Sequence, residues 1–289
     1  MDLANFLAEL RSQGKATSTF RVHRAAVSTT LRQLGRSDFR EDPLLSFTLL
    51  GAANQEARSP RRIPAWDLIL VLSSLKLPPY EPLSEASLKF LSLKTAFLIT
   101  LASGRRMSEV TNLSGSPRDI ARNPDGSYSL KFLPEFLAKN QRPGDPSPSI
   151  LIPPLPAGPD SVLCPVRVLR RYLSISKSLR RDRRQLFLSL NPNYGKDVSV
   201  NTVSRWIRET ISLAYKGEAV NPRPHEVRAW SSSLALSLNG SLKDILAAAY
   251  WRSPSPFVSH YLRDVSSQRE DGDFAFSSVA VAQQAFSRV

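Results

Sequence analysis

The chain of 289 residues carries 39 Lys+Arg against 25 Asp+Glu, a formal net charge of +14, and 42% hydrophobic residues. That apolar content suffices for a real core in one large or two smaller domains, and the basic excess favours a polyanionic partner through long-range attraction and counterion release. A single cysteine, Cys164, excludes an internal disulfide framework and a cysteine-based zinc site. No run approaches the roughly 18 apolar residues of a membrane span, and the amino-terminal stretch, acidic at Asp2 and Glu9, lacks the apolar core of a cleavable signal, so a soluble protein of cytosol or nucleus is expected.

Leu3, Phe6, Leu7 and Leu10 recur on one helical face. A second helix begins at Ser18-Thr19 and carries Val22, Ala25, Ala26, Thr29 and Leu31, and a third runs from Asp42-Pro43 through Leu45, Phe47, Leu49 and Leu50. Residues 1–57 are therefore expected to form a small helical domain. Residues 58–64, Arg-Ser-Pro-Arg-Arg-Ile-Pro, have a linker's composition, with arginines suited to crossing a nucleic-acid backbone.

The pattern restarts with Trp66, Ile69, Leu70 and Leu72, followed by a helix over 93–102 that is apolar all round and must lie inside a core. Gly104 breaks it. The stretch from Arg106 to Leu113 begins another helix with Met107, Val110 and Leu113 inward, which leaves Arg106 and Glu109, three apart, together on the other face. A turn at Pro124-Asp125-Gly126 precedes alternation at Tyr128, Leu130 and Phe132, and Ile150-Leu151-Ile152 forms a second strand, with Lys139 in the joining loop. Helices resume over 165–174, 200–215, 224–238 and 241–250, the last opened by Ser241 and Asp244 in a capping-box pattern. The chain reads as mainly α with a small antiparallel β-sheet, an α+β fold, with its larger domain at 65–265. The tail at 266–289 carries an apolar stripe of Phe274, Phe276, Val279, Val281 and Phe286, fit to pack on its own domain.

Three distant segments carry residues that handle phosphate: Ser103-Gly-Arg-Arg-Met-Ser-Glu109, Pro224-His-Glu-Val-Arg228, and Trp251 followed by Tyr261. Two arginines can hold both non-bridging oxygens of a phosphodiester. Pro222 and Pro224 set a helix start, which puts His225 in a first turn where backbone N–H groups favour an anion, and Arg228 one turn on. Singly, each segment also fits a plain role: a surface His and Arg, an Arg–Glu pair decorating a helix, a core tryptophan, a half-buried tyrosine. Their co-occurrence is the stronger signal.

In order, spacing and local sequence these segments resemble the catalytic domain of tyrosine recombinases, the group containing phage integrases, and within it the recombinases of DIRS-like retrotransposons. The resemblance runs from Ser18 to Asp264, and Leu163-Cys-Pro-Val-Arg-Val-Leu-Arg-Arg-Tyr172 is similar to the DIRS branch. It implies Tyr261 as nucleophile, Arg106 and Arg228 as the clamp on the scissile phosphate, and His225 as an acid/base or hydrogen-bonding partner. Trp251 takes a place often held by a second histidine, and Lys139 would protonate the departing 5′ oxygen, with Lys131 second choice; Glu109 would buttress Arg106. It further implies a helical and a catalytic domain closing as a C-shaped clamp on double-stranded DNA, self-association into dimers or tetramers with the tail at 266–289 as an alternative docking segment on a neighbouring protomer, no metal and no cofactor, and a nuclear location for a eukaryotic mobile element. Two departures stand out: Trp251 and Tyr261 are ten positions apart where many members have nine, with Tyr250 and His260 flanking the stretch, and the first domain is short, as in a reduced clamp or a chain cut from a larger polyprotein.

The chemistry is self-consistent. A tyrosine hydroxyl, with a pKa near 10, is a poor nucleophile at neutral pH until positive charge stabilises the developing phenolate and phosphorane. Attack gives a 3′-phosphotyrosine and a free 5′ hydroxyl, conserving the bond energy for rejoining. A type IB topoisomerase, which relaxes DNA without exchanging partners, and a domesticated DNA-binding protein without activity are the alternatives.

Overall fold

The computed structural model describes residues 3–36, 42–55, 65–142, 144–180, 183–190, 197–238 and 240–263. The expected linker at 58–64 and tail at 266–289 lie outside these residues. The chain divides into two compact units, Met1–Pro60 and Arg61–Val289.

The first unit holds α1 (Leu3–Ser12), α2 (Thr17–Gln33) and α3 (Pro43–Gln55). Leu7, Leu10, Phe20, Leu45, Leu49 and Ala52 form its core. Val22, Phe47 and Leu50, read as core-facing from periodicity, are exposed. The positions that turn inward instead, such as Phe20, lie on the opposite side of the same helices. Helix α2 contains Arg21, Arg24 and Arg32 and no acidic residue.

The second unit is built around α5 (Leu88–Ser103), whose thirteen residues from Leu91 to Ser103 are all buried. Its all-round apolar sequence leaves it no solvent face, so it packs against α7 (Pro165–Arg180), α8 (Val200–Ala214), α9 (Glu226–Ser237) and the sheet. The Ser87 hydroxyl accepts from the Phe90 N–H at its start, and Gly104 closes it in the left-handed region at φ 58°. A Cβ there would lie 3.3 Å from Ser231 Oγ, so the same glycine ends α5 and lets it approach α9. The short α4 (Leu68–Ser74) begins after Asp67, whose carboxylate accepts from the Ile69 and Leu70 amides. Its buried residues are Leu68, Val71 and Leu72, whereas Leu70 is exposed; the cap shifts the helix start and hence the inward face.

The sheet has three antiparallel strands in the order β1 (Ile120–Arg122), β2 (Tyr128–Lys131), β3 (Ser149–Ile152). Tyr128 pairs with Ile152 and Leu130 with Ile150. The added edge strand β1 is three residues long and mostly exposed, so it leaves almost no hydrophobic pattern to read. The helices α6 (Met107–Thr111) and α10 (Leu242–Ala248) complete the frame. No helix among the described residues is long and apolar enough to cross a membrane.

Candidate active site

The turn after Gly104 delivers two arginines to one carboxylate. Arg106 occupies the N-cap of α6 and donates from Nη1 to Glu109 Oε1 at 2.9 Å, while Arg105 Nη1 reaches Glu109 Oε2 at 3.4 Å. Glu109 is fully buried. Sequence periodicity puts this Arg–Glu pair on an outer face; instead α6 is so short that its polar side faces the interior, where the glutamate forks between the two guanidinium groups. Arg105, which sequence reasoning passed over, also donates to the Ser149 carbonyl on β3 and stacks 5.1 Å from the centre of the Tyr250 ring. Its burial lowers the guanidinium pKa from its usual value.

Arg228 comes from α9. The start of that helix is fixed by Glu226, whose carboxylate accepts from the Trp66 indole N–H at 3.0 Å and from the Arg223 amide. His225 sits at the N-cap, exposed. Arg228, in contrast, is 1% exposed, so the alternative of an ordinary surface arginine is wrong: α9 runs through the core, and the face expected to be outward meets the 249–261 segment. Arg228 Nη2 donates to the Ala249 carbonyl at 2.7 Å, and its guanidinium lies 4.1 Å from the Trp251 ring centre and 5.2 Å from that of Tyr261. Its Nε and Nη1 are buried without a hydrogen-bond partner among the described residues. Burial first, and then the charge of Arg106, push its pKa down to about 10. Arg105, Arg106 and Arg228 around Glu109 leave a net positive local charge.

Trp251 and Tyr261 meet across a 5.0 Å ring separation. Between them Pro254–Pro256 forms one helical turn and Phe257–Tyr261 a π-turn, closed by the Leu262 amide on the Phe257 carbonyl at 2.8 Å. A π-turn takes up one residue more than an α-turn. The Ser233 hydroxyl of α9 donates to the Tyr261 carbonyl at 3.1 Å and accepts from the Arg263 amide. Tyr261 is half-buried, whereas His260 is exposed.

Lys139 and Asn140 are the two central residues of a turn closed by the Gln141 amide on the Ala138 carbonyl. Lys139 is exposed. Its neighbour Asn140 donates from the side chain to the Tyr250 carbonyl at 2.6 Å, and Arg252 donates back to the Asn140 carbonyl at 2.6 Å. The Lys139 turn is thereby bonded on both sides of Trp251. Lys131 is exposed on β2 itself, bound through its backbone to Asp119 and Ser114. Arg106, Arg228, Trp251 and Tyr261 thus form one cluster, His225 lies at the start of the same α9, and Lys139 belongs to an adjoining turn. Arg105, Asn140 and Ser233 are further members; the doubled arginine at 105–106 was the one visible hint, since the others act through bonds between segments far apart in sequence.

No family model and no curated protein matches the sequence. The structure is similar to that of a lambda integrase dimer bound to a COC′ core site, at 17% identity over 93% of this chain and 81% of that one, with a TM-score of 0.54. It is also similar to XerH site-specific recombinase bound to difH substrate in a pre-cleavage complex (13% identity, 93% and 68% covered, TM-score 0.55). A third likeness is to the Tn1549 transposon integrase in complex with a circular intermediate DNA (12% identity, 93% and 82% covered, TM-score 0.53). The fold, mainly helical with a small antiparallel sheet, is that of the tyrosine-recombinase catalytic domain.

Proposed function

We propose that the protein is a DNA strand-exchange enzyme of mobile-element origin that cleaves and rejoins DNA through a 3′-phosphotyrosine at Tyr261. The observation that carries this reading is Arg228: a buried guanidinium whose Nε and Nη1 have no hydrogen-bond partner among the described residues, packed against Tyr261 in a cluster of net positive charge. An anionic oxygen is the strongest acceptor for desolvated guanidinium donors of that kind.

In this reading Arg106 and Arg228 bind the non-bridging oxygens of the scissile phosphate, with Glu109 setting the direction of Arg106. The Tyr261 oxygen attacks phosphorus, its proton passing to His225, while the bond to the 5′ oxygen breaks and Lys139 donates a proton to give the 5′ hydroxyl. Trp251 supports the guanidinium of Arg228 by stacking and offers its indole N–H to the phosphate. A 5′ hydroxyl from another strand reverses the sequence and joins new partners. The basic α2 and the net charge of +14 suit contact with duplex DNA. The DNA-bound dimer and transposon integrase among the similar structures support assembly of several protomers on DNA and a mobile-element setting, and the sequence motifs favour the DIRS-like branch.

A nicked suicide substrate tests this directly, because loss of a short 5′ fragment traps the cleaved state. Wild type is expected to form a covalent protein–DNA adduct stable to denaturation, and Tyr261→Phe none. An undiminished adduct with Tyr261→Phe would defeat the assignment, and relaxation of supercoiled plasmid without strand exchange would favour the topoisomerase alternative.

A further inference from the structure

Tyr250 is a backbone anomaly next to the site. It ends α10 with the two closing bonds of a Schellman motif, its own amide on the Ala247 carbonyl and the Trp251 amide on the Leu246 carbonyl. That position takes a left-handed residue, usually glycine, and Tyr250 holds it at φ 55°. A tyrosine there is tolerated only when its surroundings fix it, and two contacts do so: Arg105 stacks on its ring, and Asn140 bonds its carbonyl.

These contacts form a continuous chain. Glu109 binds Arg106 and Arg105; Arg105 holds the Tyr250 ring; the Tyr250 carbonyl receives Asn140; and Asn140 is the residue after Lys139. The return bond from Arg252 to the Asn140 carbonyl makes the attachment two-point. Within its own loop the Lys139 turn is held by the Gln141 side-chain carbonyl, which accepts from the Ala138 amide, by the Gln141 amide donating to the Asp145 carbonyl and by the Arg142 backbone N–H on the Asp145 carboxylate, and the Arg252 guanidinium, 3.9 Å from that carboxylate, adds a long ion pair from the same segment that Asn140 bonds. An exposed lysine on such a loop has no fixed distance to the phosphate cluster unless the loop is bonded to it.

We propose that Asn140 is a positioning residue: by bonding the Tyr250 carbonyl beside Trp251 it holds the Lys139 turn where the lysine ammonium reaches the departing 5′ oxygen. This rests on the function proposed above, and adds to it the element that places an exposed lysine as the acid. No new bond is made or broken by Asn140; Lys139 gives the proton that the 5′ oxygen takes as the P–O bond breaks.

The test uses the suicide substrate in two forms, one with the natural 5′ bridging oxygen and one with sulfur in its place. A thiolate, with a thiol pKa of about 8.5, leaves without a proton, so a defect confined to proton donation disappears on the sulfur substrate. Lys139→Ala is expected to lose about 10²-fold or more in cleavage rate with oxygen and to recover to within about 3-fold of wild type with sulfur. Asn140→Ala, and the isosteric Asn140→Asp that removes the amide donor, are expected to follow the same pattern, with a loss on the order of 10-fold with oxygen from misplacing the acid. Equal losses on both substrates would mark a merely structural effect and overturn the proposal, as would no loss with oxygen, in each case leaving Tyr261 as nucleophile intact. Failure of sulfur to restore Lys139→Ala would overturn the role of the turn altogether. Absence of any adduct with wild type on either substrate would remove the proposed function and this inference with it.

Discussion

Two buried cations in the second unit show what sets the phosphate cluster apart. Lys94 is fully buried and burial pushes its pKa down to about 8, but its ammonium has partners in the Leu75 carbonyl and the Glu81 carboxylate. Arg228 is equally deep, and two of its nitrogens, Nε and Nη1, have no partner among the described residues. In the proposed reading these are the donors that an anionic phosphate oxygen would meet. Arg228→Lys keeps the charge but loses the planar fork and the stacking on Trp251. Single-turnover cleavage by this variant is expected to fall by about 10²-fold or more, with binding to duplex DNA little changed. Cleavage within 3-fold of wild type, roughly the scatter expected of a neutral change, would show that no bidentate clamp operates here.

The π-turn at Phe257–Tyr261 carries the candidate nucleophile at its end. If its extra residue is a bulge within an otherwise helical path, deleting the exposed Ser259 converts it to an α-turn and leaves Phe257 and Tyr261 where they are. Adduct formation is then expected to survive the deletion within about 10-fold, while inserting an alanine at the same point, which rotates Tyr261 by roughly 100° about the helix axis, abolishes it. Loss of the adduct on deletion would show that the turn is a required shape. The same segment illustrates how far sequence carries. The three amino-terminal helices, the buried α5, the β2–β3 pairing and α7 to α10 all follow from apolar periodicity and caps such as Ser241 and Gly104. The motif residues Arg106, Arg228, Trp251 and Tyr261 were legible as a set. What escaped was whatever depends on long-range contact: the burial of Glu109 and Arg228, the edge strand β1, whose three residues carry no pattern, and the bonds from Asn140 and Ser233. The pairing of Glu109 with Arg106 does have a local signature in their spacing, but its burial does not, and Arg228, Asn140 and Ser233 are bonded to partners 21, 110 and 28 residues away.

For the whole molecule, the proposed function and the balance of 39 basic against 25 acidic residues together predict that affinity for DNA comes largely from counterion release. Neutralising 6–10 phosphates weakens binding by about 10³–10⁵ between 50 and 200 mM salt, and a fluorescence-anisotropy titration across that range is expected to show such a fall. A salt-independent affinity would rule out the polyanion as the partner. The likeness to recombinase structures is one of fold, so the catalytic claim rests on the site itself. Its most direct measurement is to trap the adduct on a suicide substrate, digest it with protease and nuclease, and locate the attached nucleotide by mass spectrometry. The account predicts a 3′-phosphate ester on Tyr261 in the peptide containing Val258, Ser259 and His260, with the released strand bearing a 5′ hydroxyl. Attachment at Tyr250, linkage through a 5′ phosphate, or no covalent product would contradict it.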